Sequence, residues 1–258
     1  MSMPLLPLQA DLVYGPVRSR RLGWSLGVNV FPPGRKICNF NCAYCQYGWT
    51  REGEHAVAPR DWPAPERIAD AVRGALRSAV AGGKSIDRIT LAGSGEPTLH
   101  PSFADIVERL RAVRDAELPA ARIAVLSNSG TIARPGIADA LARVEDAYLK
   151  LDTADSGLFA RLNGAKSGLP LILEGLRRLP HAIIQSLFTR DASGRIDNTT
   201  HDAVERWIGA LKVIGPAGVH VYTIDRAPAW SSLQRIAPEE LEAIAAQARA
   251  AGLAATVY

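Results

Sequence analysis

The stretch Cys38-Asn-Phe-Asn-Cys42-Ala-Tyr-Cys45 holds all three cysteines of this 258-residue chain. It follows the apolar run Ser25 to Phe31, which predicts a strand that ends at Pro32-Pro33-Gly34. A spacing of three and then two residues bends a loop so that three sulfur atoms can face one point. Thiolates are the soft ligands that iron–sulfur clusters and zinc prefer, so the stretch predicts a metal centre in the loop after the first strand.

Three cysteines are one ligand short of the four that close most clusters and zinc sites. A [4Fe–4S] cluster held here would have one iron without a protein ligand. The alternative is zinc with His55 as the fourth ligand, although the spacing to His55 is not that of a compact zinc finger. A thioredoxin-like pair of Cys42 and Cys45 would leave Cys38 unused. A tight group of three cysteines fits a reducing compartment better than a disulfide framework.

Strand and helix patterns alternate along the rest of the chain. Short apolar runs predict strands at 25–31, 87–92, 122–126, 147–151, 182–188, 219–224 and 254–257. Amphipathic periodicity predicts helices at 65–80, 101–114, 136–142, parts of 156–179, 200–213 and 238–251. About six βα units with short connections indicate a parallel sheet covered by helices. That sheet is either open and doubly wound, or a complete or partial barrel.

Composition sets broad limits on the class of protein. At 47% hydrophobic and 22% charged residues, the chain can bury a large core, and we expect residues 1–258 to form one domain with 1–24 as an ordered lead-in segment. The net charge of +4, without a run of like charges, permits an anionic substrate, including RNA, but does not require one. No apolar stretch approaches a membrane span and the first residues do not resemble a signal peptide, so we expect a soluble, cytoplasmic protein.

Polar and glycine-rich residues follow successive predicted strands. These are Gly93-Ser94-Gly95-Glu96, Ser127-Asn128, Asp152, Thr189-Arg190 and Asp225-Arg226, in addition to the cysteine loop. Because the carboxyl ends of parallel strands meet at one edge of the sheet, we expect these residues to form a single site there.

Several of these motifs together resemble one known family. The cysteine spacing, Tyr44 before the third cysteine, and the stretch 93–101 resemble the radical SAM superfamily. More narrowly, the stretches 14–28, 38–46 and 221–226 resemble the small stand-alone radical SAM proteins related to the wyosine-tRNA synthase family.

This resemblance implies an α/β fold, a partial (β/α)6 TIM-like barrel, with one [4Fe–4S] cluster on Cys38, Cys42 and Cys45. S-adenosylmethionine (SAM) would bind the fourth iron, and one electron would cleave it to methionine and a 5′-deoxyadenosyl radical. That radical would take a hydrogen atom from a small-molecule or nucleoside substrate. The electron would come from an external one-electron reductant of the flavodoxin or ferredoxin type. The wyosine synthases carry further cysteines for a second cluster, and this chain has none left.

The resemblance also implies a set of cofactor-binding and catalytic residues. The expected cofactor-binding residues are Tyr44, Gly93, Ser94, Gly95, Glu96, Ser127, Asn128, Asp152 and Gln185, and the candidates for a catalytic role are Arg190, Arg226 and Tyr222. Backbone carbonyls of the glycine-rich loop would approach the SAM ammonium, since glycine permits a close approach. Ser127 and Asn128 would bind the carboxylate, Asp152 the ribose hydroxyls, and Tyr44 would lie near adenine.

Structural interpretations compete with these assignments. Ser127-Asn128 is also a sequence that caps a following helix, and Asp152 also fits an ion pair with Lys150 or Arg161. His100 is expected to be a loop histidine without a catalytic role. The scattered tryptophans are expected to be packing residues and not a base-stacking surface.

Two alternative functions also stay open. A tRNA-modifying radical SAM enzyme would carry a basic surface around the site. Two interpretations stay open for Arg20, Arg21, Arg190 and Arg226, namely surface ion pairs and contact with a substrate anion. A non-catalytic, zinc-bearing nucleic-acid module would use the cysteines only as structural ligands.

Overall fold

A curved eight-stranded sheet forms the centre of the protein, as seen in a computed structural model that describes residues 4–51, 57–165 and 168–258. In chain order the strands are β1 Val13–Ser19, β2 Gly23–Val28, β3 Arg88–Leu91, β4 Arg122–Ser127, β5 Asp146–Lys150, β6 Ile183–Phe188, β7 Arg190–Asp191, β8 Gly218–Thr223, β9 Leu233–Gln234 and β10 Ala255–Val257. The sheet order is β1-β2-β3-β4-β5-β6-β8-β10, while β7 and β9 form a separate ribbon. All neighbours in the large sheet are parallel except β1 and β2.

Helices cover the outer face of the sheet and follow the strands in the order that the sequence predicts. They are α1 Pro65–Ala81, α2 Phe103–Glu117, α3 Ile137–Leu141, α4 Ser156–Asn163, α5 Leu169–Arg177, α6 His201–Ile214 and α7 Pro238–Ala250, with 3-10 turns at Pro59–Asp61 and Pro97–Leu99. Local sequence sets several ends: α1 and α7 begin with proline, and Asp155 caps α4 by accepting a hydrogen bond from Leu158 N at 2.7 Å. Across the described ranges, no helix combines the length and apolar character that a bilayer-spanning segment requires.

Alternation along each strand separates an outer core from an inner face. Residues such as Leu149 and Val221 are fully buried in the main core between sheet and helices. Their neighbours point the other way, and Leu22, Ala124 and Tyr148 pack there as a small separate cluster. The concave face of the sheet therefore has its own small apolar cluster. Inward-facing side chains nearer the carboxyl ends of the strands lie outside this cluster and can be polar.

The turn between β1 and β2 reaches the end of β8, which lies next to the edge strand β10 on the other side of the sheet. Arg20 Nη2 lies 2.8 Å from Asp225 Oδ2, just beyond β8, and the Arg21 guanidinium lies 4.3 Å from the centre of the Tyr222 ring. The sheet is therefore curled into a partial barrel. This confirms the partial-barrel prediction, and the open doubly wound alternative is wrong. The parallel strand β10, which the sequence predicts at 254–257, pairs with β8 and follows the six βα strands.

The lead-in segment differs most from its prediction. The first parallel strand is Gly23–Val28 and not 25–31, and Val13–Ser19 forms a strand that the sequence did not indicate. Gly15-Pro16 interrupts the apolar alternation there, and the pairing of β1 with β2 shifts register between Tyr14 and Val17. Before β1, Leu6 N donates to Gln46 O at 2.8 Å, so this segment crosses the carboxyl ends of the strands.

Candidate functional site

The cysteine loop lies at the carboxyl end of β2 and is joined to the glycine-rich loop that follows β3. Ile37 N donates to Ser94 O at 3.0 Å, and Glu96 N donates to Ile37 O at 2.9 Å. A Cβ at Gly95 would lie 1.8 Å from Ile37 O, so only glycine permits this approach. The two loops are therefore fixed to each other by main-chain atoms.

The middle of the cysteine loop is anchored to two distant segments. Asn41 N donates to Asn163 O at 3.0 Å and Ala43 N donates to Leu162 O at 2.9 Å, both at the end of α4. Trp230 N, in the loop between β8 and β9, donates to Ala43 O at 2.8 Å. Hydrogen bonds from separate parts of the chain thus set the path of the loop.

The three cysteines are free thiols, each half-buried. Side-chain amides are directed at two of the sulfurs: Asn128 Nδ2 lies 3.5 Å from Cys38 Sγ, and Asn163 Nδ2 lies 3.8 Å from Cys42 Sγ. Hydrogen bonds of this kind favour thiolate and tune iron–sulfur clusters. Within the described ranges, however, the side chains do not place three cysteine, histidine, aspartate or glutamate ligands around one metal position.

Burial makes the thiols of Cys38 and Cys42 difficult to ionise without a cation. Burial is the main cause that raises the pKa of Cys38, with the nearby Cys42 and Glu96 adding to it. Burial likewise raises the pKa of Cys42 to about 11. A bound cation would offset this cost, because thiolate ligands are stabilised by the metal they bind. Three half-buried sulfurs on one loop, two with amide donors, fit a soft metal or an iron–sulfur cluster. The zinc alternative depends on His55, which lies outside the described residues.

Glu96 joins the glycine-rich loop to the loop after β4. Its Oε1 accepts hydrogen bonds from Thr98 N at 3.1 Å, Thr98 Oγ1 at 2.5 Å and Ser127 Oγ at 2.9 Å, and its Oε2 accepts one from Asn128 N at 2.5 Å. The side chain is buried, which raises its pKa, while the donated hydrogen bonds limit that rise. Ser127 and Asn128 do not cap the following helix, because α3 begins after Gly136.

Asp152 is the centre of a second buried network. Its Oδ1 accepts from Leu187 N at 2.8 Å, and its Oδ2 accepts from Asn163 Nδ2 at 2.7 Å and from the Tyr44 hydroxyl. Tyr44 therefore bonds to Asp152, and burial, followed by the charge of Asp152, raises the tyrosine pKa well above its ordinary value. This network ties the end of β5 to the cysteine loop and to the end of α4.

Lys150 lies beside this network. Its Nζ is 2.8 Å from Tyr222 Oη, 3.4 Å from Asp152 Oδ1 and 4.4 Å from the centre of the Tyr44 ring. Burial opposes the charge on Lys150, but Asp152 and then Tyr222 outweigh burial and raise the lysine pKa. Of the two ion pairs expected for Asp152, the structure therefore shows the one with Lys150. Arg161 instead donates to Arg195 O at 2.7 Å.

The three candidates for a catalytic role lie in different places. Tyr222 is part of the interior set around Lys150. Arg190, in the β7–β9 ribbon, forms an ion pair with Glu240 of α7. Arg226 is exposed in the loop after β8. The structure therefore brings only Tyr222 to the interior of the barrel.

Other predicted residues also have clear positions. Gln185 is buried on the inner face of β6, and His100 is a loop histidine whose Nε2 lies 3.0 Å from Pro63 O. The sequence indicates Lys150 only as a partner of Asp152 and gives Asn163 no role. The alternation of Tyr148 and Lys150 against the core residues of β5 could have indicated that Lys150 faces inward, but no sequence signal marks Asn163.

Comparisons with known proteins agree with this geometry. The model of the Radical SAM superfamily matches residues 35–190. A UPF0026 protein of Methanocaldococcus jannaschii is 30% identical over 235 residues, which is 90% of this chain and 68% of that protein.

Two solved structures show the same fold. A radical SAM methyltransferase from Sphaerobacter thermophilus has a TM-score of 0.67 at 19% identity, covering 91% of this chain and 65% of that chain, so this chain spans less than two thirds of that protein. TYW1 with a lysine-pyruvate adduct bound has a TM-score of 0.62 at 16% identity, covering 88% of this chain and 73% of that chain. The superfamily match spans more than half of the chain and includes all three cysteines, and it confirms the resemblance that the motifs carry. The chain therefore belongs to the radical SAM superfamily, whose members use a [4Fe–4S] cluster and S-adenosylmethionine.

Proposed function

We propose that this protein is an enzyme that holds one [4Fe–4S] cluster on Cys38, Cys42 and Cys45 and uses SAM to abstract hydrogen from a small-molecule or nucleoside substrate. When bound, the cluster would supply one electron to the SAM sulfonium, and the resulting methionine and 5′-deoxyadenosyl radical would allow hydrogen-atom abstraction from the substrate. An external one-electron reductant of the flavodoxin or ferredoxin type provides the electron. Residues 1–258 act as a single domain in this proposal, with 1–24 packed on the barrel.

The position of the cysteine loop is the observation that carries the proposal. The loop is fixed at the carboxyl ends of the parallel strands, where active sites of barrel enzymes lie. Main-chain hydrogen bonds from α4, from the loop after β8 and from the glycine-rich loop hold it there. Amides of Asn128 and Asn163 face two of its sulfurs. The loop is thus shaped by the protein around it before any ligand is considered.

The neighbouring loops supply groups suited to SAM. We assign the backbone of Gly93-Ser94-Gly95 to the SAM ammonium. We assign the ribose hydroxyls to Asp152, which would have to exchange one of its hydrogen bonds with Leu187, Asn163 or Tyr44. Glu96 orients the peptide of Asn128, because its carboxylate accepts that N–H directly. For Ser127 and Asn128 to bind the SAM carboxylate, they would exchange hydrogen bonds they now make with Glu96.

The charges around the site favour a small substrate over tRNA. Arg20 pairs with Asp225, and Arg235 pairs with the same carboxylate on its other oxygen at 3.5 Å. Arg190 pairs with Glu240. Arg20, Arg190 and Arg235 are thus partly neutralised, which weakens the contribution of these three side chains to binding a phosphate backbone.

The test is anaerobic reconstitution of the purified protein with iron and sulfide, followed by dithionite and SAM. We expect about four irons per chain and release of 5′-deoxyadenosine. The Cys42→Ala variant should lose both the iron and the product, whereas Ser232→Ala, in an exposed loop, should keep them.

Two results would contradict the proposal. One is stoichiometric zinc without iron, which would support the structural zinc module. The other is 5′-deoxyadenosine formation that survives Cys42→Ala. Deuterium transfer into 5′-deoxyadenosine from labelled small metabolites, compared with labelled tRNA, then separates the two substrate classes.

A further inference from the structure

Three polar side chains form a row across the concave face of the barrel. The strand register pairs Lys150 of β5 with Gln185 of β6, and Gln185 with His220 of β8. The intervening residues of these strands, such as Leu149, Ile184 and Val221, are in the outer core, so the row faces inward. The next register pair, Leu187 with Tyr222, lies one step closer to the cysteine loop. The row is therefore inside the barrel, below the candidate SAM site.

Several hydrogen-bonding atoms of this region have no partner among residues 4–51, 57–165 and 168–258. Gln185 Nε2 and His220 Nδ1 are buried and make no hydrogen bond with the described residues, and the same is true of Arg21 Nη1. Gln185 is 5% exposed and His220 is 8% exposed, so neither side chain reaches bulk water freely. Buried polar atoms are normally paired, because an unpaired one loses its hydration without compensation. A ligand with acceptor atoms would pair these groups.

The charged side chains described in this region leave a net positive charge. Lys150 is balanced by Asp152, with 3.4 Å between Nζ and Oδ1. Arg21 lies over the Tyr222 ring and forms no ion pair with a residue in the described ranges. Burial, followed by the charge of Arg21, lowers the pKa of His220 to about 4, so His220 is neutral at physiological pH. Among the residues that the structure describes, Arg21 therefore has no carboxylate partner.

We propose that Arg21, Gln185 and His220 bind the carboxylate of a small organic acid, the substrate of the radical reaction, which rests on the proposed function above. A guanidinium and a carboxylate are planar and form paired hydrogen bonds, so Arg21 suits this anion. The Gln185 amide, and His220 in the tautomer protonated at Nδ1, provide two further donors. One cation without an ion pair in the described part of the chain matches a monoanion better than a phosphate dianion.

Aromatic side chains around the row suit the body of such an acid. The His220 ring lies 5.6 Å from the ring of Tyr148 and 4.5 Å from that of Tyr258, measured between centroids. Tyr222 contributes a third ring, which Arg21 covers at 4.3 Å. An unsaturated or aromatic acid would contact these faces while its carboxylate reaches the row.

The test measures binding of matched probes to the reconstituted protein by calorimetry or ligand-observed NMR. The probes are benzoate and butyrate, their neutral amides benzamide and butyramide, and inorganic phosphate. At least one carboxylate should bind about tenfold or more tightly than its own amide. Arg21→Met should remove this preference. Arg20→Met is the matched control, because Arg20 is 64% exposed and faces Asp225, and it should keep the preference.

A second variant keeps the proposal testable if Arg21→Met does not fold. Gln185→Met removes one donor at similar volume and should weaken carboxylate binding several-fold and amide binding less, because a hydrogen bond to a charged acceptor is the stronger one. This variant decides the outcome if Arg21→Met does not fold. Equal binding of acids and amides, phosphate binding tighter than both acids, or unchanged preference in the folded variants would overturn the proposal. If reductive SAM cleavage persists in that case, only the substrate class has failed. Loss of SAM cleavage with intact acid binding would instead contradict the radical SAM function.

Discussion

Replacing Glu96 with glutamine tests whether one buried carboxylate holds together the loops that follow β3 and β4. The wild-type carboxylate accepts four hydrogen bonds, three on Oε1 and one on Oε2, and the residue is only 2% exposed. In Glu96→Gln, the amide oxygen can still serve the Thr98 and Ser127 donors. The amide nitrogen then faces Asn128 N, so two donors oppose each other and one hydrogen bond to a charged acceptor is lost.

The expected cost follows from that loss. A hydrogen bond to a charged group contributes about 1.5–3 kcal/mol, and an unpaired buried donor costs a similar amount. We therefore expect the free energy of unfolding to fall by about 2–3 kcal/mol, which corresponds to roughly 5–10 °C in Tm for a chain of this size. Because Asn128 also donates to Cys38 Sγ at 3.5 Å, the variant should retain less iron after reconstitution.

Urea unfolding of the cluster-free protein, followed by circular dichroism, measures the first effect, and iron content measures the second. The control is Glu66→Gln, since Glu66 is 59% exposed and its ion pair with Arg109 lies at the surface. Exposed pairs contribute little, so the control should unfold within about 0.5 kcal/mol of wild type. If Glu96→Gln is equally mild, the Glu96 carboxylate does not join the two loops.

Two further predictions concern the cysteine loop and the barrel interior. A Cβ at Gly164, which has φ of 63°, would lie 2.3 Å from Asn41 O, so Gly164→Ala should displace the cysteine loop and lower the iron content. The control is Gly215→Ala, because Gly215 has φ of 64° and open space around it; this variant should retain iron. Unchanged iron in Gly164→Ala would show that this close approach does not matter. Burial lowers the pKa of His220 to about 4 in the folded protein, below the value of about 6.5 in the unfolded chain. The neutral His220 therefore contributes its full stability above about pH 6.5, and this stability is lost as the pH falls from about 6.5 to about 4. From pH 7 to pH 5, the free energy of unfolding of the wild type, measured with urea, should fall by about 1–2 kcal/mol more than that of His220→Gln. The exposed His201→Gln should follow the wild type. Equal slopes of the free energy of unfolding against pH in all three proteins would exclude a buried neutral His220.

Periodicity predicted most of the fold because parallel strands and their helices carry local signals. The position of Asp152 is an example, since a polar residue directly after a buried strand belongs at the carboxyl edge of a parallel sheet. The strand β1 was missed because Gly15-Pro16 breaks its pattern, and its pairing with β2 depends on tertiary contact. Strand boundaries differ by a few residues for the same reason.

The contacts within the site were less predictable than its position. Asn163 lies 121 residues from Cys42 in the chain, yet its amide faces that sulfur, and nothing in the local sequence around α4 indicates such a contact. Glu96 was predicted as part of a glycine-rich element, whereas its role in joining two loops depends on where Asn128 is placed by β4. Long-range hydrogen bonds of this kind depend on the completed fold.

The anchoring of the cysteine loop also bears on when the protein can mature. Residues 38–45 leave the ribosome early, but the main-chain groups that shape them belong to Leu162, Asn163 and Trp230, which are synthesised much later. A nascent chain that ends before these residues presents three thiols on an unshaped segment. A metal bound by the three thiols in their folded arrangement would therefore require that Leu162, Asn163 and Trp230 have been made and have folded against the loop.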